Sequence, residues 1–281
     1  MRCSRACSVS AQPDSDRKDM SIKHKAARII LPLVNKLAGL VALKVVTLRT
    51  PNRDFTAFFQ HLRNQGLQFS TVIDVGVAFG TPSLYACCPG AKFFLVEPVP
   101  SCKTELAKLA ERLGGEAFNV AAGAADGTMD FFVHPDVSGS SAKRQLEGQF
   151  FDGERVRVPV RRLDTLIRSP LARPCLLKID TQGAELEVLD GASAILGEID
   201  VVIIEVSFHQ FREGAPEFHQ VVGRMADLGF CAYETLEGHF RSADNALAQV
   251  DIAFVREGSP LRELKAFFTN EQARQYLEGA G

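Results

Sequence analysis

Thr71-Val-Ile-Asp-Val-Gly-Val-Ala-Phe-Gly80, followed by Thr81-Pro82-Ser83-Leu84-Tyr85, is the stretch whose reading decides the fold. Thr71 to Ile73 and Val75 have the composition of a strand, glycines stand at 76 and 80, and Pro82 suits the first position of a helix. The stretch therefore reads as strand, tight turn and helix start. Neither Gly76 nor Gly80 carries a Cβ, so backbone amides can come close to a ligand there. Asp74 places a carboxylate at the carboxyl end of the strand, where ligands of open α/β sheets collect, and an acid suits a ligand bearing positive charge or amino and hydroxyl donors. The spacing Asp-x-Gly-x-x-x-Gly is not the Gly-x-Gly-x-x-Gly that holds a dinucleotide pyrophosphate. A plain strand-to-helix turn would read the same way, so a second signal is needed.

That signal comes from Lys92-Phe-Phe-Leu-Val-Glu97-Pro98, another buried strand ending in an acid. In a doubly wound sheet an acid at this tip can accept both hydroxyls of a ribose, which makes Glu97 the nucleoside anchor. Further strands follow in Glu116–Val120, Cys175-Leu-Leu-Lys-Ile-Asp180, Asp200-Val-Val-Ile-Ile-Glu205, Phe230–Glu234 and Gln249–Val255, with helical patterns between them. The β-branched run before Glu205 can be buried only by a sheet covered on both faces. This order predicts a doubly wound α/β domain. Asp74, Glu97, Asp180 and Glu205 would gather along one edge and repel one another unless a cation or many donors sat among them.

Around this core the chain divides into a disordered extension over 1–19, a basic apolar segment over 20–50, the sheet domain over 51–258 and a C-terminal helix over 259–281 opened by Ser259-Pro260. Helix-compatible sequence begins directly after Met20, which is the expected natural start. Residues 20–49 hold six Lys or Arg and no acid. Such a stretch suits an anionic membrane surface, or packing across the domain or against a partner; Pro32 and Gly39 interrupt any long helix. Between 124 and 170, Thr128–His134 and Arg155–Val160 alternate with period two and predict an inserted antiparallel pair. Phe55, Phe58, Phe59 and Leu62 predict a helix before the first strand.

Composition narrows the function. With 281 residues and 46% hydrophobic content, the chain can bury one substantial core. A net charge of −2 supplies no electrostatic footprint for nucleic acid. Seven cysteines, none in a Cys-x-x-Cys pair, suggest neither a disulfide framework nor a zinc site. The expected location is the cytoplasm, with contact at the inner face of the membrane as its extension. No His/Asp/Glu cluster has metal spacing.

Asp74-Val-Gly-Val-Ala-Phe-Gly80, Val96-Glu-Pro98, Asn119-Val-Ala-Ala-Gly123, Leu163-Asp-Thr-Leu166, Leu177-Lys-Ile-Asp-Thr-Gln-Gly-Ala-Glu185, Val188-Leu-Asp-Gly-Ala192 and Glu205-Val-Ser-Phe208 resemble the FkbM family of S-adenosylmethionine-dependent methyltransferases over about 70–257. The resemblance implies a class I methyltransferase (Rossmann-like) sheet of seven mostly parallel strands with the last antiparallel. It implies S-adenosyl-L-methionine as cofactor and O-methylation of a hydroxyl on a sugar, glycolipid or secondary metabolite. Gly76 and Gly80 become the methionine-binding turn, Glu97 the ribose acid, and the tip with Asn119 and Ala121 an adenine contact; Asp74 belongs to the same cofactor set. The family commonly has Ala-Asn after the first glycine, where this chain has Val77-Ala78, so a side-chain amide is missing, unless Thr81 or Ser83 replaces it.

An alcohol is a poor nucleophile at neutral pH, so its methylation calls for a base. Asp180 is the first candidate to orient or deprotonate the acceptor, His209 the second, and His134 with Asp136 a third. Lys178, on the face of Asp180, balances charge or meets the acceptor. The competing readings are a nucleotide-dependent oxidoreductase or epimerase, disfavoured by the missing phosphate loop and the missing Tyr-x-x-x-Lys, and a cofactor-binding membrane-associated protein without turnover. The acceptor itself, small molecule or glycan, and the oligomeric state have no recognisable code.

Overall fold

A computed structural model of the protein describes Val34 and residues 53–146 and 152–278; the readings on 1–19, on 20–50 apart from Val34, and on Met20 lie outside the described residues. The order of elements is α1 (Phe55–Asn64), β1 (Thr71–Val75), α2 (Pro82–Cys87), β2 (Lys92–Val96), α3 (Lys103–Leu113), β3 (Glu116–Phe118), β4 (Ala121–Ala122), β5 (Gly127–Val133), β6 (Glu154–Arg161), α4 (Leu163–Leu166), β7 (Cys175–Ile179), α5 (Glu185–Gly191), β8 (Val201–Ser207), α6 (Phe218–Asp227), β9 (Phe230–Phe240), β10 (Leu247–Arg256) and α7 (Asn270–Glu278). Seven strands form one sheet in the order β3-β2-β1-β7-β8-β10-β9. β10 runs antiparallel to both of its neighbours, and the pairings among β3, β2, β1, β7 and β8 are parallel. This is the class I methyltransferase architecture, doubly wound and Rossmann-like.

Period-two alternation sends successive residues of each strand into two different cores. Ile73, Leu177, Val202 and Ile204 pack with Val188 and Leu189 of α5 and Val221 and Met225 of α6. Val72, Leu95, Leu176 and Ile203 pack with α1 and α2, the latter through Leu84 and Tyr85. Phe55, Phe58, Phe59 and Leu62 are all buried, as their spacing predicts. Phe58 has no exposed surface, and truncation of a phenylalanine in such a place costs about 3–5 kcal/mol. Asp54 starts α1 by accepting from the Ala57 N–H at 2.7 Å.

The predicted inserted pair is present, and β5 and β6 are antiparallel over Gly127–Val133 and Glu154–Val160. It is enlarged: the two-residue β4 runs parallel to β6, making a separate three-stranded sheet. Its small core joins Phe131, Val158 and Val160 to Val99 and Cys102 of the main domain, so the insertion is anchored beside the carboxyl ends of β2 and β3.

At the C-terminus the structure departs from the expected helix over 259–281. Ser259 accepts from the Leu261 N–H, yet it caps only a single 3-10 turn, Pro260–Arg262, and helix resumes at Asn270. Leu264 and Phe267 are 72% and 92% exposed. Without a surface to bury an apolar stripe, periodicity alone does not hold a helix together. Among the described residues no helix is long and apolar enough to cross a membrane.

Candidate functional site

A cavity of about 550 Å³ opens between the carboxyl ends of the parallel strands and the inserted sheet. Its floor is the loop Gly76–Thr81, joined by Glu97, by Ala121–Met129 and by Asp180 and Thr181, while Val137, Ser138 and Ser140 of the insertion face them. Gly76, Gly80, Glu97, Ala121 and Asp180 are thus brought together.

Other expected residues are not. Asp74 is fully buried and does not line the cavity. It accepts from the Tyr85 hydroxyl at 2.7 Å and from Thr81 at 3.4 Å, and burial raises its pKa above the ordinary carboxyl value. Asn119 holds the neighbouring loop, its Nδ2 donating to the Glu97 and Val99 carbonyls at 2.7 and 3.0 Å. It lies outside the cavity lining. His209 follows β8 away from the cavity; its ring meets Phe211 edge-on, with centroids 5.9 Å apart. His134 and Asp136 contact each other at 2.6 Å within the insertion and also lie outside the lining. Of the two residues expected to replace the missing amide, Thr81 lines the cavity and Ser83 does not.

The loop geometry explains the glycines. Gly76 has φ +83° and Gly80 φ +97°, a region open chiefly to glycine. Ala78 shares that region at φ +46° without being glycine. Its N–H donates to Glu97 Oε2 at 2.7 Å, and Val99 N–H donates to Oε1 at 2.9 Å. A carboxylate offers about four acceptor sites, so each Glu97 oxygen keeps acceptor capacity after these bonds. Burial raises the Glu97 pKa, opposed by the two backbone N–H groups.

The predicted crowd of acids is resolved by a cation and by amides. Lys178, buried in β7, lies 3.2 Å from Asp180 Oδ2 and 3.8 Å from Asp74 Oδ1. Burial, the largest influence, works to lower its pKa, but Asp180, Asp74 and Asp251 together hold it above the ordinary value. Gln182 Nε2 donates to Asp180 Oδ1 at 3.2 Å and to Glu205 Oε2 at 2.5 Å, and Gln249 Nε2 reaches the same Glu205 oxygen at 2.7 Å. Glu185 accepts from the Gly183 N–H at 2.8 Å and the Thr181 hydroxyl at 3.2 Å. Among the described residues no group of three or more His, Cys, Asp or Glu side chains is arranged to hold a metal.

Two members of this network escaped the sequence reading. Gln182 stands in the left-handed region at φ +57°, a conformation that its residue type does not announce. Asp251 faces Glu205 across the β8–β10 ladder. An acid inside the apolar run 250–255 was the available signal, and its partner Lys178 lies two strands away.

The family model described as the methyltransferase FkbM domain matches residues 74–231, more than half of the chain. The chain belongs to the FkbM methyltransferase family. Among curated relatives, this FkbM protein is 28% identical over 136 residues to the hexuronic acid methyltransferase AglP of Haloferax volcanii, covering 47% of this chain and 54% of that protein. It is 29% identical over 153 residues to the methyltransferase sdnD of Sordaria araneosa, covering 43% and 59%. The match thus spans somewhat over half the length of each relative. Among solved structures, the magnesium protoporphyrin IX methyltransferase of Synechocystis PCC 6803 with bound SAH aligns over 72% of this chain and 81% of that one, at 10% identity and a TM-score of 0.41. The Glu97 and Asp180 tips of this FkbM protein both fall inside the matched span.

Proposed function

We propose that this FkbM protein is an S-adenosylmethionine-dependent methyltransferase acting on a hydroxyl of a sugar, glycolipid or secondary metabolite. The observation that carries the reading is the placement of Glu97 and Asp180, from two strand tips on either side of β1, in the lining of one cavity over the Gly76–Thr81 loop. The named relatives support the acceptor class, since one is described as acting on a hexuronic acid.

The residues present fit the cofactor. Glu97 would take its ribose hydroxyls with the acceptor capacity left by Ala78 and Val99. Ala121, Ala122 and Val160 offer an apolar wall for its base, and the Gly76–Thr81 backbone would hold its methionine end. When bound, S-adenosylmethionine supplies a methyl carbon activated by a sulfonium sulfur.

The chain's own work is then alignment and proton handling. Asp180 is fixed from two sides, by Lys178 at one oxygen and Gln182 at the other, so it meets an acceptor hydroxyl in one orientation. Such positioning supplies a large share of the catalysis of a displacement reaction. Asp180 Oδ2 would take the proton of the acceptor hydroxyl as its oxygen accepts the methyl carbon and the S–C bond of the sulfonium breaks, and Lys178 balances the charge of the carboxylate beforehand. Asp74 and Tyr85 hold Lys178 and the loop from below. Through 20–49 the protein would rest on the inner face of the membrane, near lipid-linked acceptors.

Calorimetry with S-adenosylmethionine, its demethylated product and NAD tests the cofactor assignment. Binding of the first two, unaffected by NAD and lost in Glu97→Ala, is the expected result. Binding of NAD alone would replace the reading with a nucleotide-dependent oxidoreductase.

A further inference from the structure

A second cavity, of about 240 Å³, lies on the other side of Gln182 from Asp180 and shares no lining residue with the first. That amide donates to Asp180, which lines the first cavity, while Gln182 itself lines the second. Gln145, Ser207, Arg212, Arg241 and Gln249 complete its polar walls, and no Asp or Glu is among its lining residues. The contrast with the acid-rich floor next door is one of charge.

Arg212 is the centre of this cavity. The residue is 8% exposed, and its Nη2 donates to the Gly139 carbonyl and to Gln182 Oε1, both at 3.1 Å. Its Nε and Nη1 make no hydrogen bond among the described residues and are not sealed from solvent, so three N–H donors of the guanidinium are open to a ligand. A cation set this deep, with donors open to a cavity that no acid lines, suits an anion.

The neighbouring acids do not fill that role. Asp152 is engaged by Arg144 at 3.1 Å and by the Gln145 N–H at 2.7 Å. Glu185 is occupied by Thr181 and Gly183. Glu205 is engaged by the Gln182 and Gln249 amides at 2.5 and 2.7 Å, and burial first, then Asp180 and Asp251, push its pKa up to about 9. Burial holds Arg212 below its ordinary pKa against all three of these acids. Arg241 adds positive potential while its own fork is spent on Asp244, with both bonds at 2.6 Å.

We propose that the second cavity binds an anionic group, a carboxylate or a phosphate, carried by the methyl acceptor. The acceptor is then an acidic sugar or metabolite whose hydroxyl meets Asp180 while its anion meets Arg212, with the Gln182 amide between them. The assignment of that anion to the acceptor rests on the reading of Asp180 as the reaction centre.

The test uses the full chain with 15N-labelled arginine, following the Nε–Hε signals while sodium acetate, inorganic phosphate or sodium chloride is added at matched ionic strength. One signal, absent from Arg212→Lys, is expected to shift saturably with acetate or phosphate and not with chloride. A response to acetate alone identifies a carboxylate site, to phosphate alone a phosphate site, and to both a site for either. Should Arg212→Lys fail to fold, Gln145→Glu keeps the guanidinium and places a carboxylate in the same cavity, which must abolish the shift. No saturable shift, or an equal shift with chloride, overturns the proposal. Intact binding of the demethylated cofactor product alongside a failed anion titration would sink the anion site alone; the reverse pair of results would sink the methyl-donor reading alone.

Discussion

A Cβ placed on Gly76 would stand 1.7 Å from the carbonyl oxygen of Asp180. The turn after β1 and the end of β7 therefore touch backbone to backbone, with the Asp180 N–H donating to the Val75 carbonyl at 2.9 Å beside them. The glycine is required first by its neighbour in the sheet. A ligand's access to the same amides follows from that contact.

Gly76→Ala should accordingly destabilise the whole domain, because backbone meets backbone and neither side can yield. Gly90 is the control: its φ is +80°, yet nothing lies within 4 Å of an added Cβ. Gly90→Ala should cost about 1–2 kcal/mol, the penalty of the left-handed backbone alone. Gly76→Ala should exceed about 3 kcal/mol, in the exceptional range for single substitutions. Urea denaturation of the two variants checks the difference, and equal losses would contradict the contact.

Ala78 offers the opposite experiment. It occupies the left-handed region at φ +46°, where the side chain of asparagine is better tolerated than that of alanine. Ala78→Asn, which also restores the residue common in the family, should raise the unfolding free energy by about 0.5–1 kcal/mol. An unchanged denaturation midpoint would show that the loop carries no strain there.

How much of this could be read beforehand differs from residue to residue. The strands 71–75, 175–179 and 201–207 were legible because a sheet covered on both faces demands unbroken apolar runs, and the first two are buried at every position. The acids at the strand ends were legible as positions but not as directions. Asp74 lies inside β1, paired in register with Lys178, and turns toward Tyr85; Asp180 lies one residue beyond β7 and is released into the cavity. Likewise nothing local tells that the chain after Glu205 carries His209 out of the site. β4 is two residues long and exists only because β6 lies beside it.

Stability should fall as pH rises through the neutral range. Asp251 is pushed up to about 7, by burial chiefly, with Lys178 opposing and Asp180, Glu237 and Asp74 adding repulsion; Glu205 is pushed up to about 9. Each folded-state value lies above its ordinary value, so between them the folded protein binds more protons than the unfolded chain. Stability from this source is complete below about pH 4, where the unfolded chain is protonated too, and is lost on the way up to the folded-state values, at no more than about 1.4 kcal/mol per pH unit for each proton. Asp251→Asn should flatten the decline between about pH 4 and 7, and Glu205→Gln the decline that runs from about 4.5 to 9. Thermal melts across that range measure the slope, and identical slopes in all three proteins would show that these groups hold no extra protons in the folded state.

Asp180→Asn separates positioning from binding. The side chain keeps its size and still accepts from Gln182 through one oxygen, but it no longer takes a proton or balances Lys178. Lys178 then has Asp74 at 3.8 Å as its nearest partner, which keeps the buried charge paired and the fold intact. Affinity for the demethylated cofactor product should stay within about 2-fold of wild type, because the ribose anchor Glu97 is on another strand. Turnover with a hydroxyl acceptor should fall by about 10²–10⁴, the usual contribution of a general base. Loss in KM with kcat preserved would mean that Asp180 only recognises the acceptor. Loss of cofactor affinity as well would assign it to the sulfonium instead, and Lys178 would then be the group to examine as the proton's destination.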